Sequence, residues 1–278
     1  MQLKKLIFIP LSLFFFTVIV LLYNYSVTQD FFLKDVDLTG GTLILIETSH
    51  TVDSKAIEPV LLKKYGTVIV NSLQSVTGYG ISVQTKVEVN PQEVVDTVRG
   101  AGINVINFSV QTIGPTLGNL FYSQLTIAVS IAFLLMSLVI FVAYRNIISS
   151  LAMIFATAAN LLTTLALASL FGIRIGFASL AALLMLIGYT IDTNIILTHK
   201  VMRADPQNFR SEYKKALKTG LTLTATITIT MIFAWIFSDS RLLQNIAQVL
   251  VIGFLSDTLY TWIFNSSILA IWKQRQPL

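Results

Sequence analysis

Residues 187–197 read IGYTIDTNIIL, a stretch that sets one carboxylate, Asp192, inside an apolar run extending over residues 175–198. At 1.5 Å of rise per residue that run is long enough to cross the ~30 Å hydrocarbon core of a bilayer as a helix. A charged side chain near mid-membrane costs about 2.5–3.5 kcal/mol on insertion scales. The position therefore predicts a carboxylate that faces the bundle interior and is either paired or able to exchange a proton.

Composition agrees with a membrane setting. Of 278 residues, 54% are hydrophobic and 12% charged, and the mean hydropathy is +0.75. A soluble globule carries about 25% charged residues, so the chain reads as a polytopic α-helical membrane protein. Its net charge of +5 is no argument for a nucleic-acid partner, because the lysines and arginines stand at the ends of apolar segments, where membrane orientation accounts for them. There is no cysteine, which excludes disulfides and thiolate metal sites.

Toward the N-terminus, Lys4 and Lys5 precede an apolar run over residues 6–23 that ends in Tyr23, Asn24 and Tyr25. The run is too long for a signal-peptide core and no small-residue cleavage site follows, so residues 1–25 are expected to form an uncleaved first transmembrane helix with an aromatic belt. Residues 26–118 carry nine of the fourteen acidic residues (Asp30, Asp35, Asp37, Glu47, Asp53, Glu58, Glu88, Glu93 and Asp96) and are expected to lie in water. Within them, residues 42–48, 67–76, 81–89 and 103–112 read as strands, residues 53–65 as a helix opened by Asp53, and residues 91–99 as a helix opened by Asn90 and Pro91. The order β-α-β-β-α-β is that of a ferredoxin-like α+β sandwich, a fold that names no activity by itself.

Residues 119–278 accommodate five further spans, at residues 122–143, 148–171, 175–198, 219–238 and 244–272, giving six transmembrane helices in all. The fifth contains TLTATITIT, residues 222–230, which alternates like a strand. A lone strand in lipid would leave its backbone groups unpaired, so a helix is expected. With both termini cytoplasmic, Lys4, Lys5, Arg145, Lys200, Arg203, Arg210, Lys214, Lys215, Lys218, Lys273 and Arg275 all fall inside, and the short outer loops keep Arg174 and Arg241. The excess of positive charge inside selects this orientation and makes residues 26–118 extracytoplasmic.

Two carboxylates fall within spans, Asp192 in the fourth and Asp257 in the sixth. On a helix Gly188 shares the face of Asp192, while Thr190 and Asn194 lie roughly opposite; polar groups on two sides predict protein contact on two sides. Gly253, Asp257, Thr261 and Asn265 recur every four residues along the sixth span, and Thr222, Thr226 and Thr230 along the fifth, with Lys218 at its inner end. Asp192, Asn194, Thr190, Asp257 and Lys218 are the candidate ion-coupling residues. Each carboxylate has a structural alternative, a protonated side chain that joins helices by hydrogen bonding. Lys218 reads as a snorkelling anchor ahead of a mid-membrane partner, and His199 as an interfacial group ahead of a relay member. No G-x-x-x-x-G-K-[ST] or H-E-x-x-H pattern occurs, and the two histidines, His50 and His199, fall on opposite sides of the membrane. No enzymatic activity, metal site or cofactor is therefore expected.

Four places together resemble the SecF family of protein-export membrane proteins, the smaller partners of SecD. Asp37-Leu38-Thr39-Gly40-Gly41-Thr42 is similar to that family's D-[FL]-x-G-G-T after the first helix. Ile113-Gly114-Pro115-Thr116-Leu117-Gly118 resembles its G-P-x-x-G at the start of the second. Gly188 to Leu197 resembles its fourth-helix motif, and Lys218-Thr219-Gly220 the start of its fifth. Asp192-Thr193-Asn194, followed by Thr198-His199-Lys200, is closer to the archaeal branch than to the bacterial one. Lys218 stands where the family often has Arg, and as a point charge it cannot pair bidentately with Asp192.

The resemblance implies an RND-superfamily membrane fold, a SecD-like partner, the Sec translocon channel and a translocating polypeptide as associates beside membrane lipid, and the use of an ion gradient, here of protons, to promote translocation in the cell membrane. Two other assignments stay open on the residues alone: a structural subunit that stabilises its partner without moving ions, and a small-molecule exporter of the same superfamily.

Overall fold

The computed structural model describes residues 6–66, 68–74, 78–85, 89–204 and 208–273. Lys4, Lys5 and Arg275, and the expected strand positions Thr67, Ser75, Val76 and Lys86 to Glu88, lie outside the described residues. The chain forms two compact units, one of Met1–Leu33, Ile127–Trp235 and Asn245–Leu278, the other of Lys34–Thr126 and Ile236–Gln244.

The second unit opens with a short helix, α2 (Val36–Thr39), whose N-cap Asp35 accepts from the Val36 N–H. There follow β1 (Gly41–Thr48), α3 (Ser54–Tyr65), β2 (Val68–Gln74), β3 (Tyr79–Thr85), α4 (Pro91–Gly100) and β4 (Val105–Ile113). The four strands form one antiparallel sheet in the order β2-β3-β1-β4, with Ile44 opposite Val83 on one side and Val110 on the other. This is the expected βαββαβ arrangement. The caps act as read: the Asp53 side chain accepts from the Lys55 N–H, and the Asn90 side chain from the Gln92 N–H ahead of Pro91. Alternation then places Ile44, Ile46, Ile81 and Val83 against Ile57, Leu61 and Val94 of the two helices, all buried, at about 1.5–3 kcal/mol for each such side chain.

The first unit contains α1 (Phe8–Thr28), α5 (Pro115–Tyr144) from Ile127 onward, α6 (Ile147–Leu170), α7 (Phe177–Arg203), most of α8 (Phe209–Phe237), and a last helix that begins as α9 (Arg241–Leu259), passes through a π-helical turn (Tyr260–Asn265) and ends as α10 (Ser266–Lys273). Among the described residues, counting α9 through α10 as one, six helices are long and apolar enough to cross a membrane, so this is a multi-pass membrane protein. Three of them, α6, α7 and the last, supply most of the buried positions.

Helix ends reach beyond the hydropathy boundaries. α5 starts seven residues early, at Pro115, because proline suits the first helical position; α8 includes the basic turn before Thr219. The threonine run in α8 is helical: Thr222, Thr226 and Thr230 donate to the carbonyls of Lys218, Thr222 and Thr226, one turn back. Such back-bonding satisfies each hydroxyl within its own helix. Packing is closest where α8 meets the π turn, since a Cβ on Gly220 would overlap the Trp262 ring.

Candidate functional site

The buried face of α7 presents Thr190, Thr193, Asn194 and Thr198. Opposite it the last helix presents Asp257, Thr261 and Asn265, each fully buried, and α6 presents Asn160 and Thr163, also fully buried. The spacing of four along the last helix selects these residues, and the π turn follows Asp257 closely, beginning at Tyr260. A π turn adds a residue to the helical circuit, and such turns recur at functional sites.

These side chains form a continuous hydrogen-bonded row. Asp257 is hydrogen-bonded to hydroxyls on both oxygens, Oδ2 with Thr193 Oγ1 at 2.9 Å and Oδ1 with Thr261 Oγ1 at 2.9 Å, and the Thr190 hydroxyl is a further partner. Asn160 Nδ2 donates to Thr190 Oγ1 at 3.0 Å. The Asn194 amide donates to the Thr190 carbonyl at 2.8 Å and accepts from Asn265 Nδ2 at 2.6 Å. Nearby, Thr163 Oγ1 and the Tyr260 hydroxyl stand 2.7 Å apart. Among the described residues no basic side chain bonds to Asp257, and none of them forms a cluster of three or more His, Asp or Glu that could hold a metal.

Asp192 stands elsewhere. It is exposed in the single chain, as are Gly188 and His199 on the same side of α7. The expectation that it faces the interior of this bundle does not hold: the 100° step from Asp192 to Thr193 puts only one of the two against α6 and the last helix, and the neutral hydroxyl takes that place. Lys218 on α8 is exposed too, and among the described residues no ion pair joins it to Asp192. Of the five candidate ion-coupling residues, then, Thr190, Asn194 and Asp257 come together, while Asp192 and Lys218 lie outside their row. Tyr189 lies within electrostatic reach of both carboxylates, and its hydroxyl donates to Thr224 of α8 at 3.0 Å.

The motif glycines have a packing reason. Gly40 has φ +74°, and a Cβ there would stand 2.6 Å from Pro115 Cα; a Cβ on Gly118 would stand 2.5 Å from Gly40 N. Gly40, between α2 and β1, thus packs backbone to backbone with Gly114, Pro115 and Gly118 at the start of α5, within the second unit, and Gly41 opens β1 opposite Ile113. Gly188, by contrast, has open space where a Cβ would go.

Sequence reasoning missed Thr193 and Asn160 as members of the row; a polar residue at every third or fourth position of α6 and α7 is the signal that carries them. It also missed Asp35, which accepts from Gln84 Nε2 at 2.9 Å and faces Arg241 Nη2 at 3.4 Å. No local pattern links positions 206 residues apart.

Most of the chain is similar to known proteins. The family described as "Protein export membrane protein SecD/SecF, C-terminal" matches residues 93–275. The protein-export membrane protein SecF of Pyrococcus furiosus is 32% identical over 272 residues, covering 97% of this chain and 90% of that protein. SecF of Methanocaldococcus jannaschii is 34% identical over 244 residues, covering 85% and 86%. Among solved structures, SecDF of Thermus thermophilus, a translocon-associated membrane protein, is similar with a TM-score of 0.78 at 18% identity over 99% of this chain. A SecDF structure in a super-membrane-facing form gives 0.54 at 18% identity over 96%. The chain spans 38% of each of these two solved chains.

Proposed function

Because this chain belongs to the SecD/SecF protein-export family, as a SecF-type subunit, we propose that it works with a SecD-like partner covering the Asp192 face of α7, and that proton movement at that face promotes polypeptide translocation. One observation carries the reading: Asp192, inside a helix long and apolar enough to cross a membrane, is exposed in the isolated chain. An intramembrane carboxylate left against lipid is costly, and a second protein surface with polar groups removes the cost. Gly188, exposed one turn away without a side chain, lets such a surface approach closely. This reading also assigns Lys218, exposed on α8, to the partner-facing surface.

Under this reading both termini are cytoplasmic and residues 26–118 are extracytoplasmic, where the α+β sandwich acts on the polypeptide leaving the translocon channel. One charge moved through 100 mV supplies about 2.3 kcal/mol, a bias of roughly fiftyfold on a two-state equilibrium. One carboxylate is therefore sufficient to drive a change in the outer domain.

A photo-activatable amino acid at Met185 or Gly188, exposed on the Asp192 side of α7, tests the contact in cells that also make the SecD-like chain. Adducts with that chain are expected from both positions and not from Leu151, exposed on α6. Adducts with lipid alone would overturn the proposal.

A further inference from the structure

We infer that Asp257 is a second protonation site, held inside this subunit as a carboxylic acid whose proton exchanges with solvent. Hydrogen counting carries the inference. Thr193 has one hydroxyl hydrogen, yet its Oγ1 lies 3.0 Å from the Thr190 carbonyl and 2.9 Å from Asp257 Oδ2, both of them acceptors when the carboxyl is ionised. A proton on Oδ2 resolves the conflict: Asp257 donates to Thr193 Oγ1, and Thr193 donates to the Thr190 carbonyl. Thr261 continues to donate to Oδ1.

Two independent observations point the same way. Asp257 is fully buried with no basic side chain bonded to it among the described residues, and an unpaired buried charge is neutralised rather than tolerated. Asn160 Oδ1 and Asn265 Oδ1, in the same row and also fully buried, lack a donor among the described residues, so hydrogens are short at two further acceptors of the row.

The ionisable groups around the site are few. Tyr260 follows on the same helix and is bonded to Thr163 of α6. Tyr189 on α7 is within electrostatic reach and bonds to uncharged Thr224 of α8. Asp192 lies on the far side of α7, and Lys273, at the end of α10, is engaged by the carbonyls of Val201, Met202 and Ala204. None of these supplies Asp257 with a counter-charge.

The inference stands apart from the role proposed for Asp192. Its test is infrared spectroscopy of the full-length chain with its SecD-like partner in lipid vesicles, in H2O and in D2O. The expected result is a protonated-carboxyl band that shifts in D2O, persists in Asp192→Asn, disappears in Asp257→Asn and moves in Thr193→Val, where the acceptor hydroxyl is lost. Asp257→Glu, which keeps a carboxyl, retains a displaced band and guards against a folding defect in the Asn variant. A band unchanged in Asp257→Asn, or one that does not shift in D2O, would overturn the inference. Failure of the Asp192 reading leaves all of these outcomes in place.

Discussion

Asp192 and Thr193 are consecutive in the chain, yet the Thr193 hydroxyl is hydrogen-bonded to Asp257 inside the bundle at 2.9 Å while Asp192 is exposed on the opposite side of the same helix. One helix thus has two polar faces, one completed inside this chain and one exposed. The two residues should respond differently to substitution. Thr193→Val strands the Asp257 carboxyl and is expected to lower stability by about 1–3 kcal/mol, whereas Asp192→Asn should stay within about 0.5 kcal/mol. Thermal unfolding of the purified chain in detergent distinguishes them; equal losses would contradict the two-sided description.

Two positive-φ glycines of the second unit, Gly40 and Gly66, differ in what surrounds them. Gly40→Ala forces a side chain into a left-handed backbone, about 1–2 kcal/mol, and into Pro115, a further 1–3 kcal/mol. Gly66 has φ +76° with nothing within 4 Å, so Gly66→Ala carries the first cost alone. Protease resistance of residues 34–126 in the full-length chain should fall strongly for Gly40→Ala and slightly for Gly66→Ala.

Gly220 and Gly188 make a second contrast. Gly220→Ala drives a methyl into the Trp262 ring and is expected to cost about 1–3 kcal/mol as α8 is pushed from the π turn. A Cβ at exposed Gly188 has nothing within 4 Å, so Gly188→Leu should fold normally while reducing co-purification of the SecD-like partner severalfold. Undiminished co-purification would remove Gly188 from the proposed contact.

Asp35 and Arg241 form a pair in which the side chains are 9% and 20% exposed. Arg241→Ala leaves a buried carboxylate held by Gln84 and the Val36 N–H, an expected loss of about 3 kcal/mol. Hydrogen exchange in β1 should accelerate accordingly in the full-length chain, and Arg241→Lys should restore part of the protection because it keeps the charge without the fork. Unchanged exchange in Arg241→Ala would make the pair incidental.

The fold was legible because its strongest signals are local. Long apolar runs mark the spans, Asp53 and Asn90 cap the helices they precede, and the alternation at Ile44 and Ile46 marks a strand with one covered face. The site was legible only in part. Periodicity showed the stripe through Asp257, Thr261 and Asn265, but hydropathy cannot say which side of α7 meets that stripe, and that choice decides the setting of Asp192. The π turn packs its Trp262 ring against Gly220, a contact that no run of residues announces, and the Asp35–Arg241 pair depends on chain closure over 206 positions.

The most direct measurement of the central claim is polypeptide export into sealed vesicles carrying this chain, its SecD-like partner and the translocon, with and without an imposed proton gradient. Gradient stimulation is predicted in the wild type and its loss in Asp192→Asn, with complex abundance unchanged. Stimulation by the gradient that is the same in Asp192→Asn as in the wild type would contradict proton coupling at this face.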